Sequence, residues 1–389
     1  MSSAVVSADA AGKSGVQRRS RIRLLVLGTL AAFGITTLSR PFLGHSSYMS
    51  YVWVAALVGL GSWAAAKQRR RLLLRWRRGS QKGALPTMPV EVSVERIYAI
   101  SDMHTDVAAN MEWLKEYATA SSELHQADLI IVAGDISDAL PVLRDTLATL
   151  KATFGGGVAF VPGNHDLWCG RSSLGNSVDK LQDVLQLCDE LGVLTKPFTV
   201  VPDDDEFAIS GEDDMVLVLP LFSWYHSTWD TEPDIPGLDL PSVRNSAADF
   251  RRCKWPFPLD PLNESVAEYF DRLNDEAVAA ALELYPSMRI LSFSHFLPFQ
   301  QLLPEKRMLY YPHLPKMVGS VPLRDRVRQL RPVCHIFGHT HFAWDSKIEG
   351  MRFIQAPVGY PSERKMSGGP GWRPFLVMDR GDFVSYPQP

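Results

Sequence analysis

Cysteine is scarce and scattered. The four residues, Cys169, Cys188, Cys253 and Cys334, show neither the close pairing of a metal knuckle nor the density of a disulfide scaffold. A reducing compartment follows as the simpler setting. Cys334 lies inside an apolar run and reads as a buried thiol, while Cys169, five residues after Asn164, falls close to whatever site Asn164 serves. Acidic residues are missing altogether between Asp9 and Glu91, a region that carries Arg18, Arg19, Arg21 and Arg23 and then a second basic cluster from Lys67 to Arg78. The formal net charge of -3 over 389 residues argues neither for nor against a nucleic-acid partner. No dense basic stripe interleaved with aromatics runs through the body, which argues against a nucleic-acid partner and against a nuclease. Internal repeats and low-complexity tracts are also absent. The length suits one large domain with appendages, or two domains.

Two apolar runs stand near the N-terminus. Leu24–Leu38 has 15 residues and ends at Ser39-Arg40-Pro41; Tyr48–Ala66 has 19 residues and is followed by the basic cluster. The second is long enough to cross a bilayer as a helix and the first is marginal. Insertion of both, through residues 24–66, gives a hairpin with basic flanks on one side, which would hold the rest of the chain at a membrane on its cytoplasmic, stromal or matrix face. An acid-poor start containing Ser and Arg also fits an organelle-targeting segment on a soluble protein. Both readings set residues 1–78 apart from the body. Residues 79–91, with Gly83 and Pro86, read as a linker, and residues 92–389 as the body.

From Val92 onward strands and helices alternate. Strands are expected at Arg96–Ser101, Ala127–Ala133 and Val158–Val161, with helices near Ala108–Ala118 and Leu140–Leu150 between them. This βαβαβ order, apolar on both faces of each strand, predicts an α/β fold with a helix-flanked sheet. A helix over Ser177–Leu191 stops at Gly192, and Met215–Leu219 is a strand. Residues 221–261 are irregular and rich in aromatics, which suits a substrate-facing insertion or a second small aromatic core. One long helix over Ser265–Leu284 and strands at Arg289–Phe293, Val333–Phe337, Arg352–Ala356 and Phe375–Met378 complete the body, with a helix at Leu323–Leu330.

Five of these apolar runs end in polar residues that carry chemistry. They are Asp102-Met-His104, Gly134-Asp135, Gly163-Asn164-His165-Asp166, Ser294-His295 and Gly338-His339-Thr340-His341. Strand ends are where α/β enzymes hold their reactive groups. The order Asp-x-His, Gly-Asp, Gly-Asn-His-Asp, a lone His and Gly-His-x-His resembles the metallophosphoesterase, or calcineurin-like phosphoesterase, family, and the likeness spans Asp102 to His341. The resemblance implies a four-layer αββα sandwich with two central mixed sheets. It also implies a metal-dependent hydrolase of phosphate esters, with a dinuclear centre and a metal-bridging hydroxide. Two divalent ions about 3.5–4 Å apart acidify water and neutralise charge on both the attacking and the leaving oxygen. A mixed nitrogen and oxygen shell suits Mn, Fe or Zn.

Carried over by motif, Asp102, His104 and His341 serve one ion, Asn164, His295 and His339 the other, and Asp135 bridges them. Asp102 and His104 are two residues apart, as are His339 and His341, so in extended backbone each pair shares a face. Gly134 and Gly338 precede ligands where the chain turns sharply or passes close to an ion. His165 is expected to protonate the leaving oxygen, with Asp166 fixing its tautomer. His226, Lys254, Arg307 and Arg364 are candidate substrate contacts, Asp106 a candidate for the layer behind the ligands, and His335 a packing residue. Gly134-Asp135 is not followed by the Asp-Arg-Gly of serine/threonine protein phosphatases, which leaves a small phosphorylated substrate, monoester or diester. The competing class is a membrane-tethered scaffold with a vestigial site, against which a complete ligand set argues. No specific protein partner can be inferred.

Overall fold

The computed structural model describes residues 90–121, 123–170, 175–202, 215–366 and 373–385. The two N-terminal apolar runs, and the linker up to residue 89, lie outside them. Among the described residues no helix is long and apolar enough to cross a membrane. Val90 and Glu91, assigned above to the linker, already belong to a strand.

Among the described residues twelve strands run in chain order: β1 Val90–Val94, β2 Arg96–Ile100, β3 Asp128–Ala133, β4 Gly157–Val161, β5 Phe198–Pro202, β6 Val216–Pro220, β7 Arg289–Phe293, β8 Cys334–Phe337, β9 Trp344–Ile348, β10 Met351–Gln355, β11 Phe375–Asp379 and β12 Asp382–Phe383. They form a seven-stranded sheet, β1-β5-β6-β7-β8-β10-β9, and a five-stranded sheet, β12-β11-β2-β3-β4. Both are mixed. β2, β3 and β4 are parallel, as are β6, β7 and β8, while β11 pairs antiparallel with β2 and β9 with β10.

The period-two alternation of each strand sorts its side chains into separate layers. Leu129, Ile131, Ala133, Ala159 and Val161 meet Val216, Val218, Phe293 and Ile336 between the two sheets. Ile130, Val132, Val158 and Phe160 face outward onto the helices Leu140–Thr153 and Ser177–Leu191. On the other side, Leu217, Leu219 and Phe353 pack under Ser265–Arg272, Asp275–Leu284 and Val321–Leu330. Helix, sheet, sheet and helix therefore stack as an αββα sandwich.

The single helix expected over Ser265–Leu284 is two, broken at Leu273-Asn274. Asn274 there spends its side chain on the backbone of Phe222, accepting from its N–H and donating to its carbonyl. These bonds tie the break between the two helices to the chain leaving β6. Strands β1, β5, β9 and β12 were not anticipated; all lie at or beside sheet edges, where short segments carry little periodicity.

Candidate metal centre

Five of the parallel strands each deliver one motif at their ends. Asp102 follows β2, Asp135 follows β3, Asn164 follows β4, His295 follows β7, and His339 and His341 follow β8. The first three come from one sheet and the last three from the other, so the site is built across the seam between the sheets. Asp102, His104 and His341 place ligand atoms within 4.8 Å of one another, as do Asp135, His295 and His339. Asp135 also groups with His104 and His165 within the same limit, which puts its carboxylate between both halves.

The backbone there is not extended, as the two-residue spacing suggested. Asp102, His104, Asp135, His339 and His341 all adopt left-handed conformations, with φ between 41° and 78°. Non-glycine residues avoid that region because Cβ crowds the backbone. Five such residues at one place is strain gathered where side chains must be aimed. Gly134 also has positive φ, and a Cβ on it would lie 2.4 Å from the His295 ring. A Cβ on Gly163 would lie 2.2 Å from Asp135 Oδ1. Both glycines let two strand ends close on the same point.

The hydrogen bonds fix which lone pairs face inward. His295 Nδ1 donates to the Ala133 carbonyl at 2.9 Å and His339 Nε2 to the Met317 carbonyl at 3.0 Å. This leaves His295 Nε2 and His339 Nδ1 as acceptors, 3.2 Å apart. Asn164 donates through Nδ2 to Asp249 at 2.9 Å, so its Oδ1 points at both rings, 3.0 Å from each. Three acceptors thus converge with no proton to share. Burial holds both imidazoles below their ordinary pKa, so protonation does not relieve the contact. A cation does. In the other half, His341 Nδ1 is bonded to Glu363 at 2.8 Å, and its Nε2 approaches His104 Nε2 at 3.0 Å. Burial pushes the His104 pKa down to about 4 and leaves its Nδ1 without a partner. The donor set therefore fits divalent metals, which bind neutral imidazole and ionised carboxylate. Asp135, raised above the usual carboxylate range by burial and by neighbouring Asp166 and Asp102, would gain its counter-charge from such ions.

His165 lies beside this set. Its N–H donates to Asp135 Oδ1 at 2.9 Å, its Nε2 is 3.9 Å from Asp135 Oδ2, and its ring stacks on Trp168 with centroids 3.6 Å apart. Burial and the surrounding imidazoles push it down to about 2. Asp166 is not its partner. Both Asp166 oxygens accept from the backbone N–H groups of Asp135, Ile136, Ser137 and Gly163 at 2.7–3.0 Å. The carboxylate instead ties the loop that carries Asp135 to the turn that carries Asn164.

Of the candidate substrate contacts, Arg307 stands in an exposed ion pair with Glu305, and Lys254 donates to the Gly170 carbonyl. Neither geometry aims a cation at the ligands. Arg364 donates to the carbonyls of Val358 and Gly359, at the base of the loop whose Tyr360 stacks on His104. His226 is buried and accepts from Thr228 N–H. Asp106 is exposed, while His335 packs between Ser292 and Ser294 as expected. Asp249 and Glu363 were not foreseen; each bonds a ligand from a position with no motif around it.

Residues 95–240 match the model of the calcineurin-like phosphoesterase family. An acyl-carrier-protein phosphodiesterase of Mycobacterium tuberculosis, PptH, is 27% identical over 340 residues, covering 80% of this chain and 94% of that protein. The crystal structure of the M. tuberculosis phosphopantetheinyl hydrolase PptH superposes with a TM-score of 0.52 at 22% identity, covering 74% of this chain and 96% of the other, and shares the fold. With its five ordered motifs brought to one point, the chain carries a calcineurin-like phosphoesterase domain over residues 95–240 and is a metal-dependent phosphoester hydrolase.

Proposed function

We propose that this chain is a dinuclear phosphodiesterase that releases 4'-phosphopantetheine from the serine of a carrier protein. The substrate class rests on the 27% identity to PptH along nearly all of that protein's length. The observation that carries the chemistry is the position of Asp135, whose carboxylate groups with ligands of both halves. Asp102, His104 and His341 would hold one ion, Asn164, His295 and His339 the other, with Asp135 between. Two such ions supply Lewis acidity toward phosphoryl oxygens and lower the pKa of water.

The chain's own groups do the rest. Asp135 and the left-handed strand ends fix the geometry. His165, neutral and free at Nε2 apart from its approach to Asp135, stands where a leaving oxygen needs a proton or a hydrogen bond. Water adds to phosphorus, the phosphorus–oxygen bond to serine breaks, and the proton passes to the serine oxygen. The products are the serine hydroxyl and the phosphate monoester of pantetheine. Residues 24–66 as a membrane attachment, with the body on the cytoplasmic or organelle-interior side, complete the proposal; an intact N-terminus in the membrane pellet of fractionated cells is its check.

The test uses the purified protein with Mn. Hydrolysis of bis-p-nitrophenyl phosphate at least tenfold faster than of p-nitrophenyl phosphate is expected, together with release of 4'-phosphopantetheine from phosphopantetheinylated carrier protein. Preference for the monoester would overturn the diesterase assignment. Failure on the carrier protein alone would overturn the substrate.

A further inference from the structure

A cleft of about 320 Å³ opens between Tyr225–Ser227, Ser242–Phe250 and His313–Lys316. Its volume is that of a small-molecule site. Three links tie its walls to one half of the metal centre. Tyr225 forms one wall, donates to Asp249 at 3.0 Å and has its ring 6.5 Å from that of His339. Phe250 follows Asp249, the residue that orients Asn164. Lys316 precedes Met317, whose carbonyl accepts from His339. A larger cavity of about 420 Å³, bounded by Phe299, Arg324 and Arg328, includes no ligand and no residue bonded to one.

The lining is apolar at Val243, Phe250, Pro261 and Leu262, polar at Ser227, Ser242 and His313, and cationic at Arg244 and at Lys316, which pairs with Asp234. We infer that this cleft receives the uncharged organic chain of the substrate, a linear arm alternating methyl, hydroxyl and amide groups, while its phosphate lies at the metal centre. This rests on the diesterase reading above and names the part of the molecule that recognises the arm. An arm of that kind buries its methyl groups against the apolar wall and exchanges amide hydrogen bonds with water for bonds to serine and histidine. His226, predicted from sequence to touch substrate, gains its place here, in the wall next to Tyr225.

The experiment is inhibition of bis-p-nitrophenyl phosphate hydrolysis by 4'-phosphopantetheine and by inorganic phosphate. In the unmodified protein the pantetheine ester should bind at least tenfold tighter than phosphate. Val243→Trp fills the cleft and Leu262→Asp places a charge at its exposed rim; neither residue is part of the metal centre. Each should bring the ester's inhibition constant to that of phosphate, while phosphate inhibition and hydrolysis of the small diester change less than twofold. Equal inhibition by ester and phosphate in the unmodified protein, or unchanged ester affinity in both variants, would overturn the inference. Failure to release phosphopantetheine from the carrier protein bears on the proposed reaction only, because the inhibition measurement does not depend on it.

Discussion

Two adjacent residues of one turn, His165 and Asp166, have opposite relations to the chemistry. His165 presents an imidazole to the centre through Nε2, 3.9 Å from Asp135. It also falls in a group with His104 and Asp135 whose ligand atoms are close enough for a metal. Replacing it therefore separates two roles. His165→Asn should retain both ions, read by metal analysis after gel filtration, and lose roughly 10²–10⁴-fold in kcat, as for a missing general acid. Loss of an ion would make it a ligand. Asp166→Asn should fail differently. Its new amide nitrogen would face backbone N–H donors that now share two carboxylate oxygens. The Asp135 loop should loosen, and metal and activity should fall together. This difference was not legible in Gly-Asn-His-Asp. The motif says which residues matter; only the direction of four backbone N–H groups says that Asp166 serves the loop and not the ring.

At the scale of elements, the aromatic-rich segment 221–261 forms no separate small core; it contributes to the main core and to the metal centre. Trp224, Tyr225 and Trp229 are buried in the core outside the larger sheet, and the short helix Asp249–Arg252 reaches the metal centre. Asp249 is buried and accepts from Asn164 Nδ2 at 2.9 Å, Trp168 Nε1 at 2.6 Å and the Tyr225 hydroxyl at 3.0 Å. It acts through Asn164, as a positioning residue. Asp249→Ala leaves two buried donors, on Asn164 and Tyr225, without an acceptor, at about 1–3 kcal/mol each, removes the acceptor of half-buried Trp168, and frees the Asn164 amide to turn its nitrogen toward His295 and His339. One of two bound Mn should then be lost at limiting metal, with Asp249→Asn intermediate because it keeps one acceptor oxygen. Two ions bound in Asp249→Ala with unchanged affinity would refute the positioning role. The ligands were readable from sequence because each sits at the exit of a strand whose apolar run announces it. Asp249 was not, since 85 residues separate it from Asn164 and a four-residue helix has no periodicity to mark it. Glu363 escaped for the same reason, although its neighbour Arg364 was noticed.

Over the whole molecule, the centre joins two sheets whose facing side chains are largely apolar. Asp102, Asp135 and Asn164 come from the five-stranded sheet, and His295, His339 and His341 from the seven-stranded one. Ions held at that seam would contact the native arrangement and find no equivalent in the unfolded chain, so their binding free energy adds to stability. The increment follows from mass action: free Mn at a hundred times its dissociation constant contributes about 2.7 kcal/mol for each site. At about 2–4 °C per kcal/mol for domains approaching this size, two sites should raise Tm by roughly 10–20 °C over the chelated protein. The gain should grow with the logarithm of free Mn once the sites are filled. Asp135→Asn, which removes the one carboxylate common to both halves, should lower Tm at saturating Mn far more than in chelator. A scan in which Mn leaves Tm unchanged while activity is fully supported would mean that the ions bind without joining the sheets. In that case the left-handed strand ends, rather than the metals, hold the two halves of the site in register.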